Sequence, residues 1–194
     1  MTDHGHPLDD EYVGTSLLPI LGVEQLPNHE ADALLTSWGH YLGPCARPFG
    51  KQSFVLHIDG RPVSMATSAS TVSATVRLND DETLARNEVV ELARLCSAPG
   101  ASDWTRVMLR AWRNLLALSW PHWQVRAAVA YSQNAHHPGH VYRTDGWTKA
   151  RETKPSGGGG QWSGKRAEGH AAHGVKTLWV WRYEQSTLPA KTTP

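Results

Sequence analysis

The chain has 194 residues, of which 40% are hydrophobic and 19% are charged. This balance is typical of a folded globular protein and excludes a wholly disordered chain, and the length suits one domain. No apolar run approaches the ~20 residues of a membrane span, and no basic start precedes an apolar segment. We therefore expect a cytoplasmic protein with no membrane partner.

Charge is distributed unevenly along the chain, although the net charge is only +1. Residues 1–100 carry 6 Lys and Arg against 13 Asp and Glu, whereas residues 101–194 carry 13 against 5. A basic half would attract a polyanion such as DNA, although an unevenly charged surface is the simpler interpretation. Cys45 and Cys96 are the only cysteines and are expected to be free, buried thiols.

The first half of the chain predicts an edge strand, a helix, a hairpin and a long strand. Asp59 and Gly60 between two strand-like runs are a strong hairpin signal. The polar residues 1–14 predict a disordered lead, and the polar segment 70–86 predicts a loop over an active face. The element bounds are 16–23 for the edge strand, a helix from Asn28, hairpin strands 53–58 and 62–70, and a strand 88–96.

The second half predicts one long helix, three strands and a short helix. The long helix begins at Ser102 or Asp103 and ends at Pro121, with an apolar stripe on one face and Arg106, Arg110 and Arg113 on another. Strands follow at 123–131, 148–154 and 176–184, with a short helix at 137–144. The domain thus spans 15–185, with a flexible glycine-rich loop at 155–174 and a disordered tail at 186–194. This order indicates an α/β (α+β) fold with a mixed sheet flanked by helices.

The segment from His140 to Trp147 resembles the late motif of the GNAT acyltransferases: an apolar residue, Tyr, polar residues, then Gly and an aromatic. The order of elements is similar as well. The resemblance implies a mostly antiparallel GNAT sheet and an acyl donor such as acetyl-CoA or another acyl-CoA. It also implies that Tyr142 protonates the departing thiolate. The donor stays open, because segment 96–102 has a single glycine where those enzymes have a Gly-rich turn.

Three segments, 38–41, 88–94 and 137–147, resemble the bacteriophage Mom family of GNAT-like proteins, which place an acyl-type modification on adenine in DNA. This implies an N-acyltransferase that modifies an exocyclic amine of a DNA base. Two alternatives stay open. One is a GNAT acetyltransferase that uses acetyl-CoA on a small amine or protein, and the other is a non-catalytic nucleic-acid-binding module.

The resemblance and the residue types together give a set of site residues. His40 is the expected general base, because its pKa lies near neutrality. Arg94, expected on one strand face with Val90, Leu92 and Cys96, would clamp a carboxylate or phosphate, or else pair with Glu88 or Glu91. The catalytic set is His40, Tyr41, Arg94 and Tyr142, and the donor set is Cys96, Ser97, Ser102, Thr105 and Arg106.

Substrate contacts are expected from the end of a strand, the late motif and the glycine-rich loop. Trp147 and Trp162 could stack on a nucleobase, although Trp147 could equally cap the core. No metal is expected, because the histidines match no zinc spacing. The substrate set is Tyr131, Ser132, His137, Trp147, Trp162, Lys165 and Arg166.

Overall fold

A computed structural model describes residues 21–47, 49–134, 136–153 and 174–184. The helices are α1 Asn28–Ser37, α2 Trp104–Ser119 and α3 His140–Thr144. The strands are β1 Leu21–Leu26, β2 Gln52–Ile58, β3 Arg61–Ala69, β4 Thr75–Arg77, β5 Thr83–Ala85, β6 Val89–Ser97, β7 Ala127–Gln133, β8 Thr148–Thr153 and β9 Lys176–Arg182.

Seven of these strands form one sheet in the order β1-β2-β3-β6-β7-β9-β8. Every neighbouring pair is antiparallel except β6 and β7, which run parallel. Parallel neighbours need a crossover connection, and α2 supplies it. The prediction of a mixed, mostly antiparallel sheet flanked by helices is confirmed.

The first face of the sheet is covered by α2 and α3. The helical spacing of apolar side chains in α2 buries Met108, Leu109, Trp112 and Leu116 against this face. The indole of Trp112 donates a hydrogen bond of 2.8 Å to Ser68 Oγ, so its buried N–H is satisfied. This layer holds most of the core.

The second face is apolar at both ends. At one end, Ala31 and Leu35 of α1 pack on β2 and β3. At the other end, β4 and β5 pair as a small hairpin that places Val76 and Leu84 against β7 and β9. The prediction of a loop over 70–86 was wrong here, because strands of three residues are too short to show a clear alternation.

A β-bulge changes the direction of the side chains in β6. Thr67 pairs with Arg94 and Ser68 pairs with Leu92, so Ala93 is the extra residue. Val90 and Leu92 therefore point to the first face, whereas the alternation resumes with Arg94 on the second face. The prediction that Arg94 shares a face with Val90 and Leu92 was wrong for this reason.

Other local predictions are met closely. The hairpin turn has Asp59 at φ 48° and Gly60 at φ 74°, which suits the Asp-Gly pair. The short helix begins at His140 and not at residue 137, because Pro138 precedes a left-handed Gly139. Residues 1–14, 16–20 of the first predicted strand, 155–173 of the glycine-rich loop and the tail 186–194 lie outside the described residues.

Candidate functional site

The central feature of the site is an opening in the sheet between β6 and β7. Their parallel pairing runs from Val89 and Ala127 to Leu92 and Ala130 and then stops. Beyond that point β6 continues along β3 and β7 continues along β9. The two strands therefore separate and border a gap that side chains from both faces can reach.

On the second face, polar side chains line this gap between the two apolar ends. They are Glu91 and Arg94 from β6, Tyr131 and Gln133 from β7, and Lys176 from β9, and we call this set the polar strip. Strand alternation places Tyr131 and Gln133 on one side, and Lys176 is the cross-strand partner of Gln133. Burial raises the pKa of Tyr131 to about 12.

Glu91 is the buried carboxylate of the polar strip. Its Oε1 accepts a hydrogen bond of 2.6 Å from Nη2 of Arg47, and its side chain keeps 10% exposure. Burial raises the pKa of Glu91, and the positive charges of Arg47, Lys176 and Arg94 only partly oppose this effect.

Sequence reasoning treated Glu91 only as an ion-pair partner of Arg94 and missed Arg47. The signal available was a single carboxylate in an apolar strand, which is costly unless it is paired or functional. Arg47 lies 44 residues earlier in an irregular segment, so no spacing rule connects it to Glu91.

Arg94 holds the backbone of the segment after α1. Its guanidinium donates to the carbonyl oxygens of Gly43 at 2.9 Å, Ala93 at 2.7 Å and Pro44 at 3.0 Å, with a longer contact to Leu42. The expected ion pair with Glu88 or Glu91 does not form, because Glu88 binds Arg126 and Glu91 binds Arg47. Burial lowers the pKa of Arg94.

His40 is half-buried beside this loop. Its Nδ1 accepts a hydrogen bond of 3.1 Å from the backbone N–H of Leu42. Burial, and then the charges of Arg94 and His137, lower the pKa of His40 to about 4. The ring is therefore neutral near pH 7 with its proton on Nε2, so Nε2 is a hydrogen-bond donor and the Nδ1 lone pair is occupied.

Tyr41 joins two loops across the gap. Its ring stacks on His40 with centroids 5.0 Å apart and on His136 with centroids 4.7 Å apart. His137 meets it edge-on at 6.5 Å, and burial lowers the pKa of His137. The rings connect the segment after α1 to the segment after β7.

Tyr142 reaches the same gap from the first face. It is buried beside Trp147 and Trp179, and its ring centroid lies 6.4 Å from that of His137. Burial raises the pKa of Tyr142 above its usual range, with smaller contributions from Tyr41 and Glu91. The phenol therefore keeps its proton at neutral pH.

An open cleft of about 400 Å³ lies between the start of α2 and α3. It is lined by Ser102, Thr105, Arg106, His140, Val141 and Thr144. Ser97 supports it, because its Oγ contacts Ser64 Oγ at 2.9 Å and Thr105 Oγ1 at 2.6 Å. Three of the five predicted donor-site residues thus line one cleft and Ser97 lies beneath it.

The remaining donor-site residue, Cys96, lies elsewhere. It pairs with Met65 in the sheet and packs with the α1 cluster on the second face. Its prediction as a donor contact is corrected by the bulge in β6, which sends Arg94 and Cys96 to the face opposite α2. Cys45 and Cys96 are free thiols, with Cys45 buried and Cys96 half-buried.

Asp145 fastens α3 to α2. Its fully buried carboxylate contacts Arg110 at 3.1 Å and Arg113 at 2.7 Å, and Arg113 lies 3.8 Å over the ring of Trp181. Two arginines of the predicted basic helix face are therefore bound to an internal carboxylate. Only Arg106 of the three lies at the cleft.

Two of the predicted substrate contacts belong to the core of the first face. Ser132 is buried and its Oγ accepts a hydrogen bond of 2.8 Å from the Trp179 indole. Trp147 is 4% exposed and stacks on Trp112 with centroids 6.2 Å apart, so it caps the core. Ser132 Oγ and the Trp147 ring thus make their contacts within this core. Trp162, Lys165 and Arg166 lie outside the described residues.

Within the described ranges, no group of three or more His, Cys, Asp or Glu could hold a metal ion. None of the helices in those ranges is long and apolar enough to cross a membrane. The candidate site therefore consists of the gap, the polar strip and the adjoining cleft.

No protein-family model matches the sequence, and no curated protein matches it. Solved structures do share its fold. The ribosomal-protein-S18-alanine N-acetyltransferase from Escherichia coli has a TM-score of 0.55 at 10% identity, over 88% of this chain and 100% of that one. The structure of yncA, a putative acetyltransferase from Salmonella typhimurium with acetyl-CoA, has a TM-score of 0.55 at 12% identity, over 89% and 99%.

A third solved structure, the Campylobacter jejuni N-acetyltransferase PseH in complex with acetyl coenzyme A, has a TM-score of 0.52 at 10% identity, over 85% of this chain and 100% of that one. Together these neighbours establish that the chain has the GNAT acetyltransferase fold. The narrower resemblance to the Mom family receives no support from them.

Proposed function

We propose that this protein is an N-acyltransferase that transfers an acyl group from an acyl-coenzyme A to a primary amine. The observation that carries the proposal is the gap between β6 and β7. A buried carboxylate, Glu91, approaches it from one face, and a protonated phenol, Tyr142, approaches it from the other. Paired proton acceptors and donors are what amine acylation requires.

The cleft at the start of α2 suits the phosphate-bearing part of the donor. The N–H groups of Ala101 and Trp104 are bonded within the turn, to Ala98 O at 2.9 Å and Ala101 O at 3.1 Å. The cleft instead offers the hydroxyl of Ser102 and the guanidinium of Arg106. Side chains, and not a row of free backbone amides, would therefore hold the diphosphate.

When bound, the thioester supplies an electrophilic carbonyl and a thiolate leaving group. Glu91 Oε2 takes a proton from the attacking amine as the carbon–nitrogen bond forms, and its raised pKa favours this transfer. Tyr142 gives its proton to the departing sulfur as the carbon–sulfur bond breaks. His40 Nε2–H donates a hydrogen bond where negative charge develops, which replaces the general-base role expected from sequence.

Binding and turnover test this proposal separately. Acetyl-CoA and coenzyme A should raise the melting temperature, because a ligand that binds only the native state stabilises it. Thiol release with a panel of primary amines should fall about 10²-fold in Glu91→Gln. Glu152→Gln is the matched control, since Glu152 is exposed and pairs with Lys149 on β8. No stabilisation by either thioester or thiol, together with no amine turnover, would refute the proposal.

A DNA base is the second candidate acceptor. The observation in its favour is the basic second half of the chain, with 13 Lys and Arg against 5 Asp and Glu. The exocyclic amine of a nucleobase can react only after the base has left the stack of the duplex. A gap that is reached from two faces could receive such a base. Plasmid from cells that express the protein would be digested to nucleosides, and the mass of each nucleoside would be measured by mass spectrometry. If amine turnover is established and the nucleosides are unmodified, DNA is excluded as the acceptor and a small amine or a protein remains.

A further inference from the structure

We propose that the acceptor amine also carries an anionic group, a carboxylate or a phosphate, which binds Arg47 beside Glu91. This inference rests on the proposed function and names its substrate class. It comes from the imbalance of charge in the polar strip and from the guanidinium of Arg47, which keeps a buried donor without a partner in the described part of the chain.

The polar strip and the segment 38–47 after α1 together hold more positive than negative charge. Among the described residues at the gap, the positive charges of Arg47, Arg94 and Lys176 face the single carboxylate of Glu91. Both guanidinium groups are at least half-buried, so water screens them weakly. An anion that enters the gap would be attracted by this excess.

Arg94 contributes charge to the gap, but its guanidinium is directed to the backbone. Its three nitrogens are directed to the carbonyl oxygens of residues 42–44 and 93. His40 and His137 contribute no charge near neutral pH, because burial lowers the pKa of each. A direct contact to an anion is better supplied by a charged group that has a buried donor without a bond.

Arg47 is that group. Its Nη2 binds Glu91 at 2.6 Å, whereas its Nη1 is buried and has no hydrogen-bond partner among the residues that the structure describes. A buried donor left without a partner destabilises the protein, and this cost disappears when an acceptor binds it. The planar guanidinium fork matches carboxylate and phosphate oxygens, which bind it through two donors.

The position of this donor restricts the shape of the substrate. Arg47 and Glu91 are in direct contact, so an anion on Nη1 lies next to the carboxylate that takes the amine proton. The amine and the anion must therefore be only a few bonds apart, as in an amino acid or a short aminoalkyl phosphate. Anion binding would also draw the positive charge of Arg47 away from Glu91, which makes Glu91 a better base.

A binding experiment tests the inference without turnover. Melting temperatures of the full chain would be compared in sodium phosphate, sodium acetate and sodium chloride at one ionic strength. Phosphate or acetate should stabilise the wild type by roughly 2 °C or more over chloride. Arg47→Gln should lose this difference and Arg47→Lys should reduce it. Arg77→Gln, at an exposed arginine paired with Asp80, should keep it.

These variants separate the possible outcomes. Arg47→Lys keeps a positive charge against Glu91, so it folds even if Arg47→Gln does not. Anions that bind at the cleft beside Arg106 shift every variant equally and cancel in the comparison. An equal shift in wild type and Arg47→Lys, or no shift in wild type, overturns the inference.

Measurements of turnover then distinguish a carboxylate from a phosphate on the substrate. They also separate this inference from the acyltransferase proposal. Each amino acid would be paired with its carboxamide, and each aminoalkyl phosphate with its amino alcohol. The anionic member should have a KM at least about tenfold lower in wild type and a similar KM to its partner in Arg47→Lys. Equal use of neutral and anionic amines would refute this inference and leave the acyltransferase proposal intact. Failure of every amine and of coenzyme A binding would refute the acyltransferase proposal alone.

Discussion

Gly139→Ala tests whether the start of α3 is fixed by contact with β9. Gly139 has φ +75°, and a Cβ there would lie 2.4 Å from Trp179 Nε1 and 2.6 Å from its Cε2. That indole nitrogen already donates to Ser132 in the core. The new methyl group can be accommodated only if α3 moves or this hydrogen bond breaks.

The expected cost has two parts. A left-handed conformation costs a residue with a Cβ about 1–2 kcal/mol, and forced overpacking adds about 1–3 kcal/mol. Gly60→Ala is the matched control, because Gly60 has φ +74° and nothing within 4 Å of its Cβ position. Gly139→Ala should therefore melt roughly 2–12 °C below Gly60→Ala, at about 2–4 °C per kcal/mol.

Thermal unfolding followed by circular dichroism measures this difference directly. The movement of α3 should also displace Tyr142 and the cleft wall, so Gly139→Ala should weaken stabilisation by coenzyme A. Equal melting temperatures for the two variants would show that the backbone of α3 yields freely, and would refute the argument from close contact.

Three further predictions concern the ionisable groups of the gap. Tyr142→Phe should lower kcat about 10²-fold in the thiol-release assay while the protein stays folded, and an unchanged kcat would remove the phenol from the mechanism. The acid limb of the kcat/KM profile should lie above the usual carboxyl range, because burial raises the pKa of Glu91 and only its ionised form accepts a proton; a limb within that range would contradict this role. His40 stays neutral in the folded protein down to about pH 4, whereas the unfolded chain is protonated from about 6.5. Folding stability should therefore fall as the pH drops through this window, and denaturant titrations should show a shallower fall in His40→Asn; parallel curves would count against it.

The sequence predicts those features that depend on local chemistry. The Asp59-Gly60 pair defines the β2–β3 turn, since its two positive φ angles suit Asp and Gly. The apolar stripe of α2 defines which side of the helix is buried, because Met108 and Trp112 recur at helical spacing.

Ion pairs between residues that are far apart in the sequence cannot be predicted in this way. Arg110 and Arg113 have the pattern of a solvated basic face, but Asp145 lies more than 30 residues away and binds both. Arg47 meets Glu91 only because the segment after α1 folds back over the second face. Spacing along one element does not encode either contact. The roles proposed for Glu91 as general base and for Arg47 as the group that binds an anion therefore come from the structure.

The bulge at Ala93 explains why the face predicted for Arg94 was wrong. In a regular strand, side chains alternate, so residues 91 and 94 would lie on opposite faces and Arg94 would enter the core beneath α2. One extra residue brings Glu91 and Arg94 to the same face, just where β6 stops pairing with β7. Arg94 can then hold the loop that carries Tyr41 and Arg47 over Glu91. Bulges beside active sites re-aim side chains, and this one assembles the polar strip from a strand whose other residues build the core.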